Sequence, residues 1–194
     1  MGWFPRIVIA LFVVALFAAC NSERQGFNNV DITGANYAQD FRLKDPNGQW
    51  RSLADFRGKV VVVFFGFTQC PDVCPTTLTD LAEVKRRLGA DGDKLQVVFI
   101  TLDPERDTPQ VLAQYVPAFD ASFVALAGSP DETAAIAKDF KVFYMKVPGK
   151  TDTAYTIDHT AGSYVFDRDG RIRLFVRHAG GVDPLIADIR RLMR

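Results

Sequence analysis

Cys70 and Cys74 stand four positions apart in the stretch FFGFTQCPDVCPTTL, residues 64–78. A cysteine pair this close has two chemistries open to it. As thiolates the sulfurs are both nucleophiles and soft ligands, so the pair can cycle between dithiol and disulfide or hold an ion such as Cu(I) or Zn(II). A structural staple is disfavoured, because a crosslink closing so short a loop restrains little of the unfolded chain. Two sulfurs leave a soft ion short of ligands, and a third should be nitrogen or sulfur from elsewhere. The chain has only two histidines, His159 and His178, so the search is short. Met145 carries a soft thioether, but a single methionine after a helix reads as a packing residue. In TLDPERDTPQVL, Asp107 or Thr108 before Pro109 reads as a helix cap, and Asp103 as a group that orients the metal loop through hydrogen bonds.

The elements that must position these side chains follow from hydrophobic patterning. FRLKDPNGQWRSL alternates apolar and polar residues on both sides of a Pro-Asn-Gly turn, which predicts a β-hairpin. VVVFFGF is a continuous apolar run, as expected of a strand buried on both faces of a parallel sheet. Then come a helix beginning near Pro75, a strand LQVVFITL, a helix opened by Thr108 and Pro109, a short strand FVAL and a helix DETAAIAKDFKVF. A polar loop leads to His159, a hairpin SYVFDRDGRIRLFV turns at Asp-Gly, and a helix from Asp183 closes the chain. The class is α/β, a βαβ half followed by ββα around one sheet. This is a thioredoxin-like fold with an additional N-terminal β-hairpin.

In open α/β sheets the functional end lies at the carboxyl ends of the strands, and Cys70 and Cys74 fall there, at the start of a helix. Four-residue spacing puts both on one helix face, and the helix N-terminus favours thiolate over thiol. The loop entering SYVF faces the cysteines in this topology. His159, in TIDHTAGSY, is therefore placed to complete a Cys2His site, whereas His178 follows the second hairpin strand and reads as an ordinary histidine.

The whole chain sets the setting. At 194 residues and 48% hydrophobic it suffices for one well-buried core, and its 16 phenylalanines read as core filling. Lysine plus arginine equals aspartate plus glutamate at 23 each, and no basic stripe marks a nucleic-acid partner. Residues 1–20, MGWFPRIVIALFVVALFAAC, read as an export signal, with Arg6 ahead of an apolar run shorter than the roughly 20 residues of a membrane-spanning helix. Small residues before Cys20 resemble a bacterial lipoprotein cleavage site, where the cysteine becomes the lipidated first residue. A plain signal anchor with an incidental cysteine is the alternative. Residues 21–38 read as a polar tether and 39–194 as the folded domain. The expected location is the periplasmic or outer face of a bacterial membrane, a compartment that permits disulfides.

CPDVCPTTL, TLDPERDTPQVL and DHTAGSYVFDRDG resemble, in that order, the signature blocks of the Sco/SenC family of copper chaperones. DITGANYAQDFRLKDPNGQ is similar to that family's entry into the domain. The resemblance implies a thioredoxin-like domain that binds copper, as Cu(I) with Cu(II) as its other state, through Cys70, Cys74 and His159. It also implies a partner, the copper-binding subunit of cytochrome c oxidase, to which such a protein delivers copper. A thiol-disulfide oxidoreductase acting on the cysteines of the oxidase copper site is the competing function, with Cys70 and Cys74 as its redox-active pair and no need of His159. A peroxiredoxin-like peroxidase is weaker, since Phe67 and Pro71 occupy the positions where that resemblance would put threonine or serine.

Overall fold

The computed structural model describes residues 26–150 and 154–194. The segment read as an export signal, with Cys20, lies outside them. At the centre runs β4 (Val60–Gly66), every residue buried. Val60, Val62 and Phe64 enter one core, while Val61, Val63 and Phe65 enter the other, which is why the run shows no polar alternation. On one side β5 (Leu95–Thr101) lies parallel to β4, and β6 (Val124–Leu126) parallel to β5. On the other side β9 (Gly162–Phe166) is antiparallel to β4, followed by β10 (Ile172–Arg177) and, at the edge, β1 (Val30–Asp31). A parallel half joined to an antiparallel hairpin in one sheet is the thioredoxin-like arrangement expected.

Helices α1 (Val73–Arg87) and α4 (Val182–Leu192) cover one face, packing Leu78, Leu81 and Val84 beside Leu185, Ile186 and Ile189. At about 1.5–3 kcal/mol per buried aliphatic side chain, those anchors outweigh an exposed ion pair such as Arg86–Glu83 on α1. α2 (Pro109–Tyr115) is capped by Thr108, whose side chain accepts from the Val111 N–H. α3 (Pro130–Asp139) opens on a capping box of Ser129 and Glu132 and covers the second face. There it meets the predicted N-terminal hairpin, β2 (Arg42–Lys44) and β3 (Trp50–Ser52), which docks through paired backbone bonds between Lys44 and Ala127.

Three boundaries differ from expectation. α1 starts at Val73, so Cys74 is inside the helix. Pro75 is tolerated there because the first turn has no intrahelical use for its missing N–H. α3 stops at Asp139; Lys141 takes a left-handed φ of 54°, and the chain turns into β7 (Tyr144–Pro148). β7 pairs with β8 (Tyr155–His159), so the segment read as helix end and loop is a hairpin. Finally, the folded body reaches upstream of residue 39. β1 pairs with β10, and Asn28 and Asn29 are bound to the buried Asp188 of α4.

Candidate metal centre

β4 ends at Gly66, where a side chain would collide: a Cβ would sit 2.8 Å from Cys74 Sγ and 2.9 Å from the Phe99 ring. Beyond it the chain leaves the sheet through buried Phe67, and the Cys70 N–H donates to the Phe67 carbonyl at 3.3 Å. Thr68 fixes this exit. Its N–H and hydroxyl both donate to Asp107, the hydroxyl at 2.5 Å, and the Thr101 hydroxyl at the end of β5 donates to the same carboxylate. Asp107 is thus a tie between the cysteine loop and the neighbouring strand, and the helix cap is left to Thr108. Burial raises its carboxyl above the ordinary value even though these bonds pull the other way.

Cys70 is partly exposed and Cys74 fully buried, both as free thiols. The Cys74 N–H donates to Cys70 Sγ at 3.4 Å, a helix-end amide aimed at sulfur. At Cys74 the expected thiolate preference is reversed: burial among apolar side chains pushes its thiol well above the ordinary range, and the helix end does not offset that.

His159 closes β8, opposite Tyr144 of β7. Nδ1–H donates to its neighbour's carbonyl, Thr160 O, at 3.1 Å, which leaves the Nε2 lone pair facing Cys74 Sγ at 3.7 Å. The ring lies against the edges of Phe64 and Phe67. Burial lowers the imidazole below its ordinary pKa, favouring the neutral ligand form. The ligand atoms of Cys70, Cys74 and His159 all lie within 4.8 Å of one another. Two sulfurs and one imidazole nitrogen suit a soft ion, and two thiolates would leave a monovalent ion's site with one net negative charge.

The other candidates sit elsewhere. His178 Nδ1 pairs with the Thr77 hydroxyl at 3.2 Å on α1 and stays outside the ligand group. Met145 lies on β7 opposite Asp158, half exposed. Asp103 does not touch the cysteine loop; it grips the far end of β8. Tyr155 OH donates to Asp103 at 2.7 Å, Arg106 pairs with the same carboxylate, and Arg106 Nη1 donates to the Tyr155 carbonyl at 2.8 Å. The Arg106 guanidinium also lies 3.5 Å from the Tyr155 ring centroid. Sequence reasoning missed this clamp and the hairpin it holds; of the two strands only YTIDH alternates as a strand does, and YMKVP does not.

Fold and site together define a thioredoxin-like domain with a candidate Cys2His soft-metal centre. The chain belongs to the SCO1/SenC family, whose model matches residues 30–194. It is 39% identical over 154 residues to the mitochondrial SCO2 homolog of Mus musculus, covering 78% of this chain and 60% of that protein. To the SCO2-like protein of Rickettsia felis it is 38% identical over 145 residues, covering 74% of this chain and 68% of the relative. Among solved structures, copper-bound ScoI of Bradyrhizobium japonicum superposes with a TM-score of 0.72 at 42% identity, covering 79% of this chain and 97% of that one. The apo Sco1 of Thermus thermophilus gives 0.77 at 38% identity, covering 88% and 99%.

Proposed function

We propose that the chain is a copper-binding protein of cytochrome c oxidase assembly, which delivers copper to the oxidase's copper-binding subunit or prepares its copper site. The observation that carries this reading is the convergence of Cys70, Cys74 and His159 within 4.8 Å. The ScoI relative solved with copper bound supports copper as the ion, and the family resemblance supports the oxidase as client. Cu(I) would displace the thiol protons and take the Nε2 lone pair already turned inward. Of the two sulfurs Cys70 is the partly exposed one, so an incoming client ligand reaches it before buried Cys74, and transfer begins there.

The tether belongs to the same reading. The apolar leader and the small residues before Cys20 support export and lipid anchoring at Cys20, on the outer face of the membrane. Among the described residues no helix is long and apolar enough to cross a bilayer. A dithiol reductant would use the same cysteines but gives His159 no task.

The test is the alkylation rate of the reduced full-length protein with and without one equivalent of Cu(I), in wild type and His159→Ala. Copper bound to both sulfurs commits the lone pairs that would attack the reagent, so strong protection in wild type and weak protection in the variant is expected. An unchanged rate in wild type removes Cys70 and Cys74 as ligands and leaves the oxidoreductase reading.

A further inference from the structure

A broad concavity lies at the opposite pole from the cysteines. An open basin of about 1040 Å³ is lined by Arg57, Arg168, Arg171, Arg173, Arg191 and Arg194 against only Asp31, Asp167 and Asp169. In a chain with no formal net charge, this is a local surplus of three positive side chains, six arginines less three aspartates. Arg171 and Arg173 spend charge on Asp167 at 3.1 and 3.0 Å. Arg57 and Arg168 are held differently. Arg57 donates to the Asp169 carbonyl at 2.7 Å, and Arg168 to the carbonyls of Gly58 and Met193 at 3.0 and 3.3 Å. Backbone carbonyls orient a guanidinium without neutralising it, so both exposed side chains present full charges in fixed positions.

The tether leaves the body at the same place. Gly26 lines the basin, the Arg191 guanidinium donates to its carbonyl at 2.7 Å, and the Phe27 ring lies 5.5 Å from Arg173 and 5.4 Å from Arg191. Gly26 follows Cys20 by six positions. At no more than about 3.5 Å per residue, that segment spans at most roughly 20 Å. A body anchored at Cys20 therefore keeps this pole within about two Debye lengths of the lipid surface.

We propose that the arginine basin docks on the phosphate headgroups of the anionic membrane to which the chain is tethered. The inference rests on the tethering reading above. Guanidinium forks match phosphate oxygens, and a shallow, open basin suits a surface of headgroups better than one enclosed ligand. Docking also orients the molecule. Val61 pairs with Phe166, so the turn between β9 and β10 lies at the start of β4, while Gly66 is its last residue and the cysteines lie beyond that end. With the basin on the lipid, Cys70, Cys74 and His159 face away from the membrane.

The test places the reduced full-length protein on vesicles of pure phosphatidylcholine and of phosphatidylcholine mixed with phosphatidylglycerol, and follows amide exchange at residues 57–59 and 167–171. Exchange there should slow about tenfold only with phosphatidylglycerol, in line with the attraction of several arginines to an anionic surface. The slowing should vanish at about 0.5 M salt. It should also vanish in the Arg57→Gln/Arg168→Gln double variant, whose β4 amides report that it is folded. Equal exchange on both vesicles, or protection that survives the double substitution, overturns the proposal. Glycerol 3-phosphate reproducing the protection on pure phosphatidylcholine overturns it in favour of a small phosphate ligand. Flotation with pure phosphatidylcholine vesicles reports the tether alone, and its absence sinks the anchoring reading while the phosphatidylglycerol comparison still decides the basin.

Discussion

Nδ1 of His159 is committed to a backbone carbonyl, and that bond decides which nitrogen the cysteines meet. Removing the ring removes a ligand already oriented, so His159→Ala should weaken Cu(I) binding by roughly a hundredfold or more, since even outer partners of metal ligands cost 10–100-fold when lost. His178→Ala loses only a bond to Thr77 and should leave affinity within a few-fold. Competition with a Cu(I) chelator measures both; equal small losses would discard the histidine as ligand. A pH dependence follows from Cys74. Burial raises its thiol, so at neutral pH it holds a proton that copper must expel, whereas lowered His159 is already neutral there and releases none. One proton released per ion makes affinity rise about tenfold per pH unit. The same chelator competition through neutral pH should give a slope of at least one; a flat profile would mean that Cys74 is not bound as thiolate.

Each donor is delivered by a different element. β4 and α1 bring the cysteines, and the β7–β8 hairpin brings His159, steadied at its far end by Asp103, Arg106 and Tyr155. Loosening the hairpin should therefore act on the histidine alone. Tyr155→Phe removes the hydroxyl bond to Asp103 but keeps the ring under Arg106, at a cost of about 1 kcal/mol. Copper affinity should fall by up to about tenfold in wild type, yet hardly change in a His159→Ala background; equal losses in both would show that the clamp does not act through His159. Much of this frame was legible in the sequence. The unbroken apolar run of β4 announced a doubly covered strand, and Asn-Gly and Asp-Gly marked turns whose Gly48 and Gly170 have φ of 79° and 74°. Four-residue spacing paired the cysteines, and a histidine near the entry to β9 was placed beside them. The hairpin itself was hidden, because DFKVF continues the apolar pattern of α3 and only the left-handed turn at Lys141 breaks it. Capping is local in sequence, so the pattern offers Asp107 or Thr108 as the cap and Thr108 takes it, whereas the bonds of Asp107 to Thr68 and Thr101 depend on how β4 and β5 lie side by side.

At the scale of the molecule, the candidate metal centre and residues 26–29, where the proposed tether would leave the body, occupy opposite ends of one sheet, and a single buried carboxylate holds Asn28 and Asn29 in place. Asp188 of α4 accepts from the N–H groups and side-chain amides of both Asn28 and Asn29, at 2.8–3.0 Å. No periodicity in the first forty residues signals this, because the attachment is made by backbone donors meeting a charge on the last helix. The edge strand β1 is only two residues long and pairs with β10 alone, so it adds little of its own. Asp188→Ala would strand several donors at the price of about 3 kcal/mol locally. Because β4, β5 and β9 keep their partners, the loss should stay at that edge. Amide exchange at residues 28–31 should accelerate by two orders of magnitude or so, in keeping with that energy, while β4 amides and copper affinity hold their wild-type values. Unchanged protection at residues 28–31 would show that β1 docks without Asp188; parallel acceleration in β4 would make the carboxylate a support of the whole core. The expected outcome separates the two poles: the body would swing freely on its tether with its copper chemistry intact, and the membrane-dependent protection of the arginine basin would fall with the loss of the fixed exit.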